Sequence, residues 1–219
     1  MNYTGKVTVG GPAQVRELPD ATISKIAVGK MNNNAYLVRC RATGEGLLID
    51  AAAEPDRLAE FVRSGGEPVT AVLTTHQHPD HWQALASVVA QTGARTLAGS
   101  LDAEGIPVPT DRLLQHGDTV HVGQLELSVI HLRGHTPGSV ALYLADPAGH
   151  GHLFTGDTLF PGGVGKTWRP GDFEQLLADV TERLFDPHAD DTWFYPGHGE
   201  DSTLGEQRPQ LAEWRARGW

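Results

Sequence analysis

Thr75-His76-Gln77-His78-Pro79-Asp80-His81 is the stretch on which the reading of this chain turns. Zinc and similar borderline cations bind neutral imidazole and carboxylate, and this run offers both at short spacing. His76 and His78 are two residues apart, so in extended backbone they project to one side and can meet one ion. Asp80 and His81 follow one turn later, where they can serve a second ion nearby.

The flanks place this run in a fold. Residues 69–73 read as a buried strand, and 80–92 carry Leu85, Val88 and Val89 at helical spacing, so the histidines occupy a strand-to-helix loop. Upstream, 23–28, 35–38 and 47–49 are strand-like, with a turn at Thr43-Gly44-Glu45-Gly46. A helix over 55–63 starts at Pro55, puts Leu58, Phe61 and Val62 on one face, and stops at Gly65-Gly66. Downstream, 96–98, 119–122, 125–132, 139–144, 153–155 and 192–195 read as strands. Residues 172–185 form a helix with Phe173, Leu176, Leu177, Val180 and Leu184 on one stripe and Asp172 as its cap. The tail from Leu204 reads as a closing helix. Grouped strands with helices between them predict an α+β class: two mixed β-sheets packed together with helices on the outer faces, in a single domain over 1–219.

Composition narrows the partners. The 219 residues (23.5 kDa, 39% hydrophobic) suffice for one sizeable core. A net charge of −10 argues against a nucleic-acid groove, so a small-molecule substrate is expected, with the protein a monomer or homodimer. No run approaches the roughly 18 apolar residues of a membrane span, and Met1-Asn2-Tyr3-Thr4-Gly5-Lys6 lacks a signal-peptide core, so the expectation is cytoplasmic with no membrane partner. The one cysteine, Cys40, lies in a strand-like run with no histidine beside it and reads as a buried filler.

Three later positions join the opening run: His135 in Gly134-His135-Thr136-Pro137-Gly138-Ser139, Asp157 in Phe154-Thr155-Gly156-Asp157-Thr158, and His198 in Tyr195-Pro196-Gly197-His198-Gly199. Each ends or follows a strand-like run and is flanked by glycine, which admits close backbone approach. Together they make five histidines and two aspartates, enough for two ions with an open position for water. His150 and His152 are expected to be exposed in a turn. His116, His121, His131 and His188 have no companion ligand at useful spacing.

His76, His78, Asp80 and His81, followed in order by His135, Asp157 and His198, resemble the metal motifs of the metallo-β-lactamase superfamily. Asn34-Ala35-Tyr36-Leu37-Val38 and Leu48-Ile49-Asp50 look like its opening strands. The resemblance covers nearly the whole chain and implies an αβ/βα sandwich with the metals in a cleft along one edge. It implies that His76, His78 and His135 hold one ion, that Asp80, His81 and His198 hold the other, and that Asp157 bridges them. The cofactor implied is two divalent ions, zinc first, with iron or manganese as substitutes.

Within the superfamily, Asp157-Thr158-Leu159-Phe160 followed by Gly163-Val164-Gly165-Lys166 is similar to glyoxalase II-like thioester hydrolases. The resemblance implies that Lys166 contacts the carboxylate of a thiol carrier, and Trp168 stands near where a substrate tyrosine is found. Glu200 replaces an expected aromatic, and the chain runs 21 residues past His198, where glyoxalase II has a helical extension. The ending also looks like compact actinobacterial members, which implies a carrier other than glutathione, such as mycothiol.

The expected reaction is thioester hydrolysis, with water activated between two cations and Asp80 as the catalytic carboxylate that orients it. Lactone hydrolysis needs the same machinery. An iron-dependent persulfide dioxygenase shares the scaffold but uses one ion, and a Cys-Gly-Arg type segment stands where this chain reads Gly163-Val164-Gly165-Lys166. A non-enzymatic structural zinc module is disfavoured, because such sites are normally closed and rich in cysteine.

Overall fold

Period-two patterning builds the sheets. In strand β2 (Ala21–Val28) Ala21 and Ile23 turn inward while Thr22 and Ser24 face outward, and in β9 (Leu125–His131) Leu125, Leu127 and Val129 alternate with exposed Glu126 and Ser128. The computed structural model describes residues 3–218 apart from Gly65, Glu67 and Ala148; the predicted helix stop at Gly65 and the end of the tail at Trp219 lie outside the described residues.

The first sheet runs in chain order: β1 (Gln14–Glu17), β2, β3 (Asn33–Cys40), β4 (Gly46–Ile49), β5 (Val69–Thr74), β6 (Arg95–Gly99) and β7 (Arg112–Leu114). It is antiparallel as far as β4 and parallel beyond. Parallel pairing requires crossovers, and α1 (Pro55–Arg63) and α2 (Leu85–Thr92) supply the first two. The second sheet has the order β15 (Ser202–Thr203), β14 (Trp193–Pro196), β11 (Gly151–Gly156), β10 (Val140–Ala145), β9, β8 (Thr119–Val122). Among the described residues only β11 and β14 pair in parallel there. Their connection carries a small hairpin, β12 (Leu159–Phe160) with β13 (Gly163–Val164), and the helix α3 (Asp172–Val180). The chain closes with the short helices α4 (Leu204–Gln207) and α5 (Leu211–Arg217).

Three apolar layers hold this together. Ile23, Val38, Leu73, Val129, Phe154 and Tyr195 fill the space between the sheets. Leu58 and Val62 of α1 and Leu85 and Val88 of α2 pack with Val72 on one outer face, and Leu176, Leu184 and Trp214 pack with Phe194 on the other. Among the described residues no helix is long and apolar enough to cross a membrane.

The sandwich of two mixed sheets matches the expectation, with local departures. The helix expected from residue 80 begins at Leu85. Residues Pro79–His81 make a single 3₁₀ turn, and the amides of Gln83 and Ala84 donate outside any helix, to the carbonyls of Ala52 and Ala51. Gly171, not Asp172, is the cap of α3, and the Asp172 carboxylate accepts from the amide of Arg169 upstream. The helix continues as a wider π turn, Thr181–Phe185, which buries both Leu184 and Phe185. His152 is fully buried rather than exposed, because β11 begins at Gly151 and carries it into the sheet, where its Nδ1 lies 2.8 Å from the Tyr195 hydroxyl. His150 is exposed and Cys40 is buried, as expected.

Candidate metal centre

All seven sequence-predicted ligands converge at one edge of the sandwich, on loops that leave both sheets. His76 and His78 follow β5, and Asp80 and His81 sit in the 3₁₀ turn beyond them. His135, Asp157 and His198 follow β9, β11 and β14. The Val140 amide donates across the sheets to the Thr75 carbonyl (2.9 Å), which draws the two groups of loops together.

Three triads of ligating atoms lie close enough to share an ion: His76, His78 and His135; Asp80, His81 and His198; and His76, His81 and Asp157. The first two match the expected assignment, and Asp157 lies between them. Its Oδ1 is 3.5 Å from His81 Nε2, while its Oδ2 is 3.4 Å from His198 Nε2 and 3.9 Å from His135 Nε2. In the first triad, His76 Nε2 is 3.1 Å from His78 Nδ1 and 3.3 Å from His135 Nε2.

The outer nitrogens fix how these rings face. His135 Nδ1 donates to the Lys166 carbonyl (2.7 Å), His198 Nδ1 to the Met31 carbonyl (3.0 Å), and His81 Nδ1 to Asp50 Oδ2 (2.8 Å). Thr75 Oγ1 donates to Asp50 Oδ2, which leaves it to accept from His76 Nδ1 at 3.0 Å. With Nδ1 of these four rings engaged outward, Nε2 faces inward and is the nitrogen a cation would take, whereas His78 turns its Nδ1 inward.

These residues fit bound cations. His81 Nε2 and Asp157 Oδ1 are buried and find no hydrogen-bond partner among the described residues, a costly arrangement that a cation between them would relieve. A Cβ on Gly197 would stand 2.2 Å from Asp157 Oδ1 and 2.7 Å from His81 Cε1, so only glycine lets the His198 loop close over that pair. Burial pushes His76, His78 and His135 below the usual imidazole range, keeping them neutral. At His198 burial is outweighed by Asp157 and Asp80, which raise it to about 9; at His81 burial is likewise outweighed, by Asp50 and Asp157. Burial of Asp80 and Asp157 is outweighed by neighbouring histidines, so both stay ionised. His81 and His198 thus favour protons at the positions a cation would take, and a cation would have to displace them.

Several supports escaped sequence reading. Asp50 sits at φ 61° just after β4 and accepts from the Thr75 amide as well as from Thr75 Oγ1 and His81. Asn33 donates to Asp80 Oδ2 at 2.8 Å. Asp102, fully buried, accepts from the amides of Gln77 and Gly138 and from Thr136 Oγ1, tying the His76 and His135 loops together. A buried lysine, Lys25, donates to the Gly199 carbonyl (2.8 Å) and Asp201 Oδ1 (2.7 Å), anchoring the His198 loop. Asp50 ends the Leu48-Ile49-Asp50 segment that carried the family resemblance, and Asn33 stands one residue before the other, Asn34–Val38; neither had a further signal.

The expected substrate residues sit at the rim. The Lys166 ammonium stands 4.4 Å from the centre of the Trp168 ring, and that ring lies 6.0 Å from His78 and is 60% exposed. His131 bonds the Pro137 carbonyl through Nε2 (2.7 Å) and touches no ligand.

Comparison with known proteins agrees with this geometry. The family model described as Metallo-beta-lactamase superfamily matches residues 28–198. A hydroxyacylglutathione hydrolase of Polaromonas sp. (strain JS666 / ATCC BAA-500) is 38% identical over 180 residues, covering 80% of this chain and 66% of that protein, so the chain spans slightly less than two thirds of that relative's length. Among solved structures, ETHE1 from Myxococcus xanthus is 30% identical with a TM-score of 0.76, covering 87% of this chain and 84% of that one. TTHA1623 in a di-iron-bound form is 33% identical with a TM-score of 0.70, covering 84% of this chain and 96% of that one.

Proposed function

Because the chain belongs to the metallo-beta-lactamase superfamily, we propose that it is a dinuclear metal-dependent hydrolase, acting as one domain on the thioester of a carboxylate-bearing thiol carrier. The observation that carries this reading is the pair of three-ligand groups with Asp157 between them, in a chain similar to a hydroxyacylglutathione hydrolase. His76, His78 and His135 would hold one ion, and Asp80, His81 and His198 the other, with Asp157 shared. When bound, two divalent cations supply Lewis acidity, which lowers the pKa of water towards about 7 and draws charge from a carbonyl oxygen.

The chain's own residues orient the rest. Asp80 keeps 18% of its side chain exposed and has one oxygen held by Asn33, so it is the ligand carboxylate that meets incoming water and orients it. Lys166 and Trp168, beside His78, receive the carrier: the ammonium pairs with its carboxylate and the indole covers its chain. Water adds to the carbonyl carbon, the C–S bond breaks, and sulfur leaves as a thiolate that takes its proton from solvent. Thiols ionise near pH 8.5, so no strong protein acid is required. Partial exposure of His78, Asp80 and His198 fits a reaction centre better than a closed structural zinc site.

Metal analysis combined with a thiol-release assay tests this reading. The metal-loaded protein is given glutathione, mycothiol and coenzyme A thioesters, a γ-lactone and a persulfide. Thiol release with close to two equivalents of metal is the expected result. Turnover of the persulfide alone, with one iron per chain, would overturn it.

A further inference from the structure

Next to Asp80, rather than next to His78 where Lys166 and Trp168 stand, lies a groove of about 750 Å³ whose lining includes Val9, Lys30, Met31, Ala53 and Asp80. The turn between β2 and β3 forms one wall. Gly29 (φ 73°) and Asn32 (φ 54°) take left-handed backbone, and a Cβ on Gly29 would stand 2.9 Å from the Cβ of Ala53, so the turn lies flush against Ala53. That seating presents Lys30 and Met31 outward, with Met31 62% exposed. The Met31 carbonyl meanwhile accepts from the ligand His198, so the groove wall and the metal centre share a residue.

Size and charge define the occupant. A space of this volume is typical of sites that bury a drug-sized ligand, far more than a short acyl group fills. Val9, Met31 and Ala53 give it apolar walls, between the polar side chains of Asn33 and Gln83. The carboxylate of Glu54 is engaged by the Gly29 amide (2.7 Å) and faces Arg57 at 3.9 Å, whereas Lys30 makes no ion pair among the described residues. With the carrier on the Lys166 side and the carbonyl at the metal centre, the acyl chain extends past Asp80. We propose that this groove receives the acyl half of the substrate and selects a medium-length apolar chain ending in a carboxylate that pairs with Lys30. The proposal rests on the thioester reading above.

Two measurements test it on the metal-loaded protein. In the first, S-acylglutathiones from propionyl to hexanoyl are compared, with the adipoyl ester against the hexanoyl. The expected result is a rise in kcat/KM of roughly three- to fourfold per methylene. The adipoyl ester should lead the hexanoyl by about two- to fivefold, and Lys30→Glu should reverse that order. In the second, adipate is titrated into protein carrying ¹³C-methyl methionine. The chain has two methionines, so the Met31 methyl is read against Met1 and should shift with saturation. A flat or falling series in protein that does hydrolyse the propionyl ester overturns the proposal and leaves the thioester reading standing. An unmoved Met31 methyl does the same. Absence of thiol release from every one of these esters and from the mycothiol and coenzyme A thioesters overturns the thioester reading instead, and the Met31 titration then decides the groove by itself.

Discussion

Asp50 Oδ2 lies 2.8 Å from His81 Nδ1, with both side chains removed from solvent. That contact sets the direction in which His81 aims its other nitrogen at Asp80 and Asp157. Asp50→Asn keeps the shape and tolerates the left-handed backbone at this position but loses the charge that holds the His81 proton outward. Metal affinity should fall about 10- to 100-fold, measured by competition with a chromogenic chelator. Unchanged affinity would show that His81 orients itself without Asp50.

Asp80→Asn should cost turnover far more than folding. The carboxylate is half of the charge facing His198 and lines the groove. A fall in kcat/KM of at least about 100-fold is expected, with the far-ultraviolet circular dichroism unchanged. Full activity in a well-folded variant would remove Asp80 from the mechanism.

Lys166→Ala separates charge recognition from hydrolysis. KM for a carboxylate-bearing thioester should rise while a neutral ester is affected much less, and added salt should erode the wild-type preference in the same direction. Equal treatment of both substrates by variant and wild type would reduce Lys166 to a surface lysine that supplies only a carbonyl to His135.

Acid should loosen the His135 loop through Asp179. Arg133, two residues before His135, donates to that buried carboxylate from its amide (2.9 Å), its Nε (2.8 Å) and its Nη2 (2.6 Å). Burial raises the Asp179 pKa, but the Arg133 bonds and nearby Arg183 outweigh it and hold the group below the usual carboxylate range. The folded value is therefore the lower one. The stabilisation is complete above the unfolded value of about 4 and is lost as pH falls through the folded value. Asp179→Asn should remove that acid-dependent portion, flattening the urea-midpoint profile below about pH 4 and costing about 1.5–3 kcal/mol at pH 7. A parallel profile would assign the acid sensitivity elsewhere.

Removing metal should lower thermal stability, because the buried Nε2 of His81 and Oδ1 of Asp157 then lose their partner. At free metal about 100 times Kd the stabilisation is about 2.7 kcal/mol, or roughly 5–10 °C in a chain of this size. Calorimetry with and without chelator measures the difference. Identical midpoints would mean that no metal is held.

Much of this centre was legible in the sequence because ligating side chains are chemically distinctive and follow strands at short spacing. His76 and His78 after β5, and His198 after β14, fall just past apolar runs that read as strands. What stayed hidden depends on register and on sheet-to-sheet contact. His152 reads as a turn residue until β11 is known to start at Gly151, and Asp102 has no local signal because its partners at Thr136 and Gly138 lie on another loop. The late start of α2 has the same origin: the amides of Gln83 and Ala84 find carbonyls at Ala52 and Ala51, which no helical pattern can announce.

Each proposed triad takes two donors from loops of the first sheet and one from loops of the second, with members as distant as His76 and His135 or Asp80 and His198. A nascent chain that has made only the first sheet therefore carries four donors and neither complete triad. Closing loops over such separations carries an entropic cost that docking of the two halves must offset, so tight capture of a cation would wait on that docking. Metal retention is then a reporter of finished assembly: a variant that weakens docking anywhere in the central layer should leak metal before it visibly unfolds.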